Sequence, residues 1–258
     1  MKLPENSFKH AIARGEQQIG LFVNLPSGFA AEALATCGYD WLLFDTEHAV
    51  GDPVTVFEQL QAVAPYPVSA VVRPADNDPV LIKRLLDAGA QSLLIPYVQN
   101  AGEARAAVDA MRYGPRGIRG FAGLTRATRY GQVEDYATRA EQELCLLVQV
   151  ETDAALGEIE AIAAIDGVDG IFIGPADLAA SMGHPGNPGH PEVVAAMEDA
   201  ILRIRKTGKP AGILSLDPEF VDRCIELGTV ITAVDVDANI LLQGARAIAA
   251  KYKPAGSH

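Results

Sequence analysis

Trp41-Leu42-Leu43-Phe44-Asp45-Thr46-Glu47-His48 carries an apolar run into three ionisable side chains, and Ala49-Val50-Gly51-Asp52-Pro53 then turns the chain. Four consecutive apolar residues suit a strand buried on both faces, as in a parallel sheet. Asp, Glu and His beyond such a strand stand where an α/β enzyme keeps its chemistry. The fold turns on whether other apolar runs repeat this unit and bring matching groups to the same rim.

Seven further runs repeat it, at 19–25, 68–72, 92–95, 144–150, 170–173, 211–214 and 230–234. Helical patterns separate them: a leading helix over 7–14, one capped by Ser27 and ended near Gly38, then 53–63, 78–89, 101–112, 152–165, 191–207, 217–228 and 237–252. Asp78-Pro79 and Asp217-Pro218 place a cap before a proline in the first turn, and Gly89 and Gly228 close those helices. Eight strand–helix repeats in 258 residues predict a closed α/β barrel, the (β/α)8 TIM fold, as one domain over 1–258, in preference to an open doubly wound sheet. No Gly-rich dinucleotide fingerprint follows the first strand, and there is no P-loop. Residues 253–258, ending Gly256-Ser257-His258, read as a flexible tail or expression remnant.

The segment 113–140 breaks the rhythm. It carries Arg116, Arg119, Arg126, Arg129 and Arg139 among repeated glycines, the composition of a functional loop or subunit contact. The net charge of −12 argues against nucleic acid or an anionic membrane as partner. Cys37, Cys145 and Cys224 are widely spaced and form no C-x-x-C, which suits free thiols in a reducing cytoplasm. The amino end is polar and mixed in charge, unlike a signal peptide, and no apolar run reaches the roughly 20 residues of a membrane span.

In a barrel all strand carboxyl ends meet at one rim. That rim would gather Asp45 and His48, Arg73, Glu151 with Gln149 two residues before it, and Asp177. Each has a local explanation: Asp177 as a helix cap, Glu151 at a helix start, His48 as a turn residue bonded to Asp45, Arg73 as a structural ion-pair partner. Five such groups at one rim outweigh five separate local roles. Glu151 and Asp177 offer hard oxygen ligands for Mg²⁺ or Mn²⁺. A 2-oxo acid would chelate such an ion, which would acidify its C3 protons and activate a bound water. Arg73 would stabilise an enolate oxygen, and His48, oriented by Asp45, would relay the proton. Glu47 points the other way by strand alternation, which favours a supporting or subunit contact over metal ligation. His184 and His190 lie in a Gly/Pro loop, where His190 starts a helix. No lysine closes a strand, which disfavours a Schiff base.

Six segments then carry a resemblance: Phe44-Asp45-Thr46-Glu47-His48, Val72-Arg73-Pro74, Leu94-Ile95-Pro96, Arg116-Gly117-Ile118-Arg119-Gly120, Gln149-Val150-Glu151 and Ile173-Gly174-Pro175-Ala176-Asp177-Leu178. In this order, over nearly the whole chain, they resemble the HpcH/HpaI family of class II pyruvate aldolases, which includes 4-hydroxy-2-oxoheptanedioate aldolase. The resemblance implies a phosphoenolpyruvate/pyruvate-type barrel with a divalent metal (Mg²⁺, Mn²⁺, Co²⁺ or Zn²⁺) on Glu151 and Asp177. It places Arg73 on the keto oxygen, a His48–Asp45 dyad beside it, and Gln149 near the metal. Gly174, Pro175 and Ala176 would flank the substrate carboxylate. The implied reaction is reversible cleavage of a 4-hydroxy-2-oxo acid to pyruvate, or hydroxypyruvate, plus an aldehyde. Decarboxylation or other C–C cleavage of a related 2-oxo acid such as oxaloacetate is the alternative, and a non-catalytic acid-binding barrel a third reading. The implied assembly is a homohexamer, a dimer of trimers with the last helix exchanged. Asp235, where such aldolases commonly have glycine, and Asn24-Leu25-Pro26 depart from the family pattern.

Overall fold

The apolar runs become strands and the capped patterns become helices. The computed structural model describes residues 1–253, so all but Lys253 of the expected tail at 253–258 lies outside the described residues. In chain order the elements are α1 (Ser7–Ala13), β1 (Gln18–Val23), α2 (Gly28–Ala35), β2 (Trp41–Asp45), α3 (Pro53–Val63), β3 (Ser69–Arg73), α4 (Pro79–Asp87), β4 (Ser92–Ile95) and α5 (Ala101–Met111). After a long connection come α6 (Tyr136–Arg139), a 3₁₀ turn (Ala140–Glu143), β5 (Cys145–Val150), α7 (Asp153–Leu156), α8 (Ile159–Ala163), β6 (Gly170–Ile173) and α9 (Pro175–Ser181). α10 (Pro191–Lys206), β7 (Ala211–Leu214), α11 (Pro218–Leu227), β8 (Ile231–Val236) and α12 (Asp237–Tyr252) complete it. The eight strands close in sequence order into one barrel, with β1 and β8 paired in parallel like all the others. The (β/α)8 reading is borne out.

Strand alternation sorts the core into two layers. Leu42 and Phe44 face outward against the helices, whereas Trp41 and Leu43 face into the barrel with Phe22, Val71, Leu147 and Phe172. Phe8 and Ile12 of α1 belong to the same inner cluster and plug its amino-terminal end. Gly20 makes room for this plug, because a β-carbon there would collide with the Trp41 indole. Above this apolar layer, the carboxyl end of the barrel carries the buried Asp45, Arg73, Gln149 and Glu151.

Several expected boundaries move; β8 runs to Val236 rather than 234. β1 ends at Val23 rather than 25, because Asp237 accepts hydrogen bonds from the amides of Asn24 (2.8 Å) and Leu25 (3.1 Å) and turns the chain. The helix expected over 152–165 divides into α7 and α8 at Gly157-Glu158. The arginines of 113–140 tie that segment to its own barrel: Arg119 meets Asp87 at 2.7 Å, and Arg126 donates to the carbonyls of Leu60 and Ala88. Ile118, Phe121, Leu124 and Tyr130 remain exposed on it.

Candidate active site

Asp45 and Arg73 are register partners on β2 and β3, the last rung of each strand. Both continue the inward-facing rows begun by Trp41, Leu43 and Val71, one layer above the apolar floor. Their pairing is bidentate: Arg73 Nε donates to Asp45 Oδ1 at 2.9 Å and Nη2 to Oδ2 at 2.7 Å. The guanidinium rests over the Phe22 ring at 5.3 Å and reaches Gln149 Oε1 from Nη1 at 3.4 Å. Burial opposes its charge, but the bond to Asp45 and the carboxylates of Asp45, Glu47 and Glu151 outweigh burial and raise its pKa. Arg73 is therefore a fixed, permanently charged donor.

Glu151 follows β5 and is 1 % exposed. Its Oε2 accepts from Gln149 Nε2 at 2.5 Å and its Oε1 from the Tyr97 amide at 2.8 Å. Tyr97 adopts a left-handed backbone (φ 53°), a conformation that costs a side chain-bearing residue roughly 1–2 kcal/mol and that here directs its N–H at Glu151. Burial pushes the Glu151 carboxyl up to about 7; the bonds from Gln149 and Tyr97 oppose this, and the charges of Glu47 and Asp177 add to it. Asp177 lies in the first turn of α9, half-exposed, with Oδ2 4.0 Å from His48 Nε2. Gly174 admits the cluster: a β-carbon there would strike the Glu151 carboxylate and come within 2.9 Å of Gln149 Nε2.

The structure corrects two expectations. Asp45 does not orient the His48 ring. Its oxygens are taken by Arg73, directly across the register, and by the amides of Glu47 (3.0 Å) and His48 (3.5 Å). His48 lies three residues beyond the strand, where the chain has turned, and its ring stands exposed 3.8 Å from Glu47 and 4.0 Å from Asp177. Glu47 likewise escapes strand alternation, because β2 has already ended at Asp45. It turns into the site, with Oε2 2.9 Å from Arg73 Nη1. That contact is ionic and lies off the N–H axis, so the buried oxygen has no hydrogen-bond donor. Burial, with the charges of Asp45 and Asp177 added, raises the Glu47 pKa against the pull of Arg73 and His48.

Glu151, Asp177 and the donor-less Glu47 Oε2 suit a hard cation. Their oxygens are the ligand type such ions prefer, and burial, with neighbouring carboxylates adding to it, raises the pKa values of Glu47 and Glu151 where a cation would lower them. Among the described residues, the group of potential ligands whose atoms all lie within 4.8 Å of one another is His184, His190 and Glu192. The two rings stack face to face at 3.5 Å and 14°, so their lone pairs lie in nearly parallel planes and do not converge on one ion. His190 caps α10 and accepts the Glu192 amide at 3.3 Å, the helix-starting role read from the sequence. Asp235 spends its Oδ1 on Val236 N and Asn239 Nδ2. Tyr97 and Asp237 carried no motif in the sequence; an acidic residue opening the last helix was the only available sign of the second.

The chain is similar to known proteins over nearly its whole length. A family profile described as HpcH/HpaI aldolase/citrate lyase matches residues 18–244. A Rhizobium etli protein named pyruvate aldolase is 63 % identical over 252 residues, covering 98 % of this chain and 99 % of its own. A Klebsiella pneumoniae protein named 4-hydroxy-2-oxo-heptane-1,7-dioate aldolase is 55 % identical, covering 96 % of this chain and 94 % of its own. Among solved structures, a family protein from Burkholderia cenocepacia superposes with a TM-score of 0.92 at 39 % identity, covering 96 % of this chain and 99 % of that one. The chain belongs to the HpcH/HpaI aldolase/citrate lyase family.

Proposed function

We propose that this single-domain barrel is a metal-dependent pyruvate aldolase. It cleaves 4-hydroxy-2-oxo acids into pyruvate, or hydroxypyruvate, and an aldehyde, and runs the reverse addition. The observation that carries the reading is the buried Arg73 guanidinium, locked by Asp45 and aimed across the barrel toward Gln149 and Glu151. When held by Glu151 and Asp177, Mg²⁺ or Mn²⁺, with Co²⁺ and Zn²⁺ as substitutes, supplies Lewis acidity toward the 2-oxo group. Arg73 donates to the 2-oxo oxygen as negative charge develops there. The C4 hydroxyl loses its proton toward His48, the C3–C4 electron pair passes into the enolate, and the aldehyde departs. The enolate then takes that proton back from His48 at C3. Gln149 fixes both Arg73 and Glu151, and Gly174, Pro175, Ala176 and Asp177 form the wall beside the substrate carboxylate.

No iminium route fits this rim. Lys9 and Lys209 are committed to the carbonyls of Leu144 and Val168 near the amino ends of β5 and β6. The decisive test is borohydride with pyruvate, together with chelation by EDTA. Activity should survive the first and vanish with the second; a trapped covalent pyruvate adduct would refute the mechanism. Faster turnover of oxaloacetate than of any hydroxy-oxo acid would reassign the protein as a decarboxylase.

A homohexamer arranged as a dimer of trimers accompanies this reading. α12 buries only Asp237 and presents Ile240, Leu241, Leu242, Ile248 and Tyr252 outward, an unpaired face suited to exchange between subunits. All three cysteines are free, consistent with a reducing cytoplasm. No described helix is long and apolar enough to cross a membrane.

A further inference from the structure

Asn24 stands at the mouth of the barrel, one residue beyond β1 and two beyond Phe22. Phe22 faces inward beneath Arg73, and Val23 pairs with Phe44, so the next step of the register sets Asn24 beside Asp45. Its backbone is held by Asp237, which accepts its amide at 2.8 Å. Its side chain is left incomplete: Oδ1 is buried without a hydrogen-bond donor. A buried acceptor left unpaired is destabilising unless water or a ligand completes it. A buried carboxamide oxygen without a donor matches a hydroxyl, which can donate to Oδ1.

The proposed function fixes which hydroxyl, and the inference rests on that reading. The carboxylate and the 2-oxo oxygen of the substrate face the β5–β6 side, toward Glu151, Asp177 and Gly174. C3 then projects to the opposite wall, formed by β1, β2 and β8, where Asn24 lies. We infer that Asn24 is a specificity-determining residue that hydrogen-bonds a hydroxyl on C3 of the donor. The chain would then favour 3-hydroxy-2-oxo acids of the hydroxypyruvate type over pyruvate. A methyl group at that place leaves the amide unpaired, and unpaired polar groups are what such sites discriminate against.

The test is the ratio of kcat/KM for hydroxypyruvate over pyruvate, in aldol addition to one common aldehyde, for the wild-type protein, Asn24→Ala and Asn24→Ser. A misfolded fraction lowers both rates equally and leaves the ratio unchanged, so the reading survives a destabilised variant. Asn24→Ala should reduce the ratio roughly 10- to 100-fold, the usual consequence of one lost hydrogen bond in a closed site. Asn24→Ser, which keeps a short hydroxyl, should fall between. A ratio within about twofold of wild type in Asn24→Ala would show that water alone completes the amide, and would overturn the inference. So would a wild-type protein active with pyruvate and inert toward hydroxypyruvate. Failure of the underlying reading looks different: no addition with either donor and no solvent exchange at the pyruvate methyl.

Discussion

Replacing Asp45 by asparagine separates two accounts of this residue. If Asp45 oriented His48, the loss would fall on proton transfer. The structure instead gives both carboxylate oxygens to Arg73, at 2.9 and 2.7 Å, and leaves His48 only a 3.5 Å backbone contact. An asparagine keeps one acceptor but turns an N–H₂ toward a guanidinium that needs an oxygen. Removing one partner of a buried ion pair costs about 3–5 kcal/mol. Glu47, 2.9 Å from Nη1, retains part of the compensation, which places Asp45→Asn at the low end, about 3 kcal/mol. For a chain of this size that corresponds to a fall in Tm of about 6–12 °C. Turnover should fall about 10²–10³-fold, as for a lost oxyanion donor, because an unanchored Arg73 no longer meets the developing charge. The assay is a pair of double-mutant cycles on kcat, Asp45→Asn with Arg73→Lys and Asp45→Asn with His48→Ala. The first should show coupling of about 2 kcal/mol, and the second should be additive to about 0.5 kcal/mol. Strong coupling to His48 with additivity toward Arg73 would refute the assignment.

Gly174→Ala should displace the Glu151 carboxylate; calorimetry should show Mn²⁺ affinity reduced about 10- to 100-fold, with a Tm change of only a few degrees, as outer-sphere disturbances of metal sites generally do. The stability of EDTA-treated protein should fall as pH rises from 5.5 to 8. The unfolded Glu151 carboxyl ionises near 4.3, whereas the folded one holds its proton until about 7, so the folded state binds more protons across that window and loses about 2 kcal/mol through it. Glu47 and Asp169, both raised by burial, act in the same direction, while the exposed Glu160, held down to about 2 by Arg203, titrates below the window. A Tm that climbs between pH 5.5 and 8, measured by calorimetry, would contradict this. Leu241→Asp combined with Ile248→Asp places two charges on the exposed face of α12; light scattering should report smaller assemblies, with the monomer's circular dichroism retained.

Strand positions and the rim were legible because both depend on short-range pattern. Four apolar residues followed by Asp45, or Val71-Val72 followed by Arg73, leave little choice about which end of which strand carries the charge. The grouping of Arg73, Gln149, Glu151 and Asp177 follows from barrel closure alone. Partner choice was not legible. Asp45 and His48 are three apart in sequence, whereas Asp45 and Arg73 are 28 apart and joined only by the β2–β3 register. Glu47 was misdirected because alternation was extended one turn past the end of a strand, where the backbone no longer obeys it. The Tyr97 amide depends on a left-handed residue that no composition rule announces. Asp237, which shortens β1, acts across the seam that joins the last strand to the first, 213 residues from Asn24 and beyond the reach of any local pattern.

The electrostatics of the rim set a condition on binding order. Asp45, Glu47 and Glu151 act on a single guanidinium, Asp177 adds a fourth carboxylate near Glu47 and Glu151, and Asp45 already claims two of the guanidinium's donors. A 2-oxo acid entering as an anion meets a field of its own sign, which neither Arg73 nor an exposed His48 can reverse. Burial answers this repulsion in part by raising Glu47 and Glu151, so each carboxyl holds its proton to higher pH. A protonated Glu151, however, is a poor ligand and leaves the substrate's two oxygens unmatched. A divalent cation resolves both demands at once, restoring Glu151 to its charged form and giving the chelating oxygens a positive partner. Pyruvate should therefore bind after the cation: titrated into EDTA-treated protein it should give no resolvable heat, and after Mn²⁺ is added it should bind. Equal pyruvate affinity in both states would show that Arg73 alone overcomes the carboxylates, and the charge balance drawn from this rim would be mistaken.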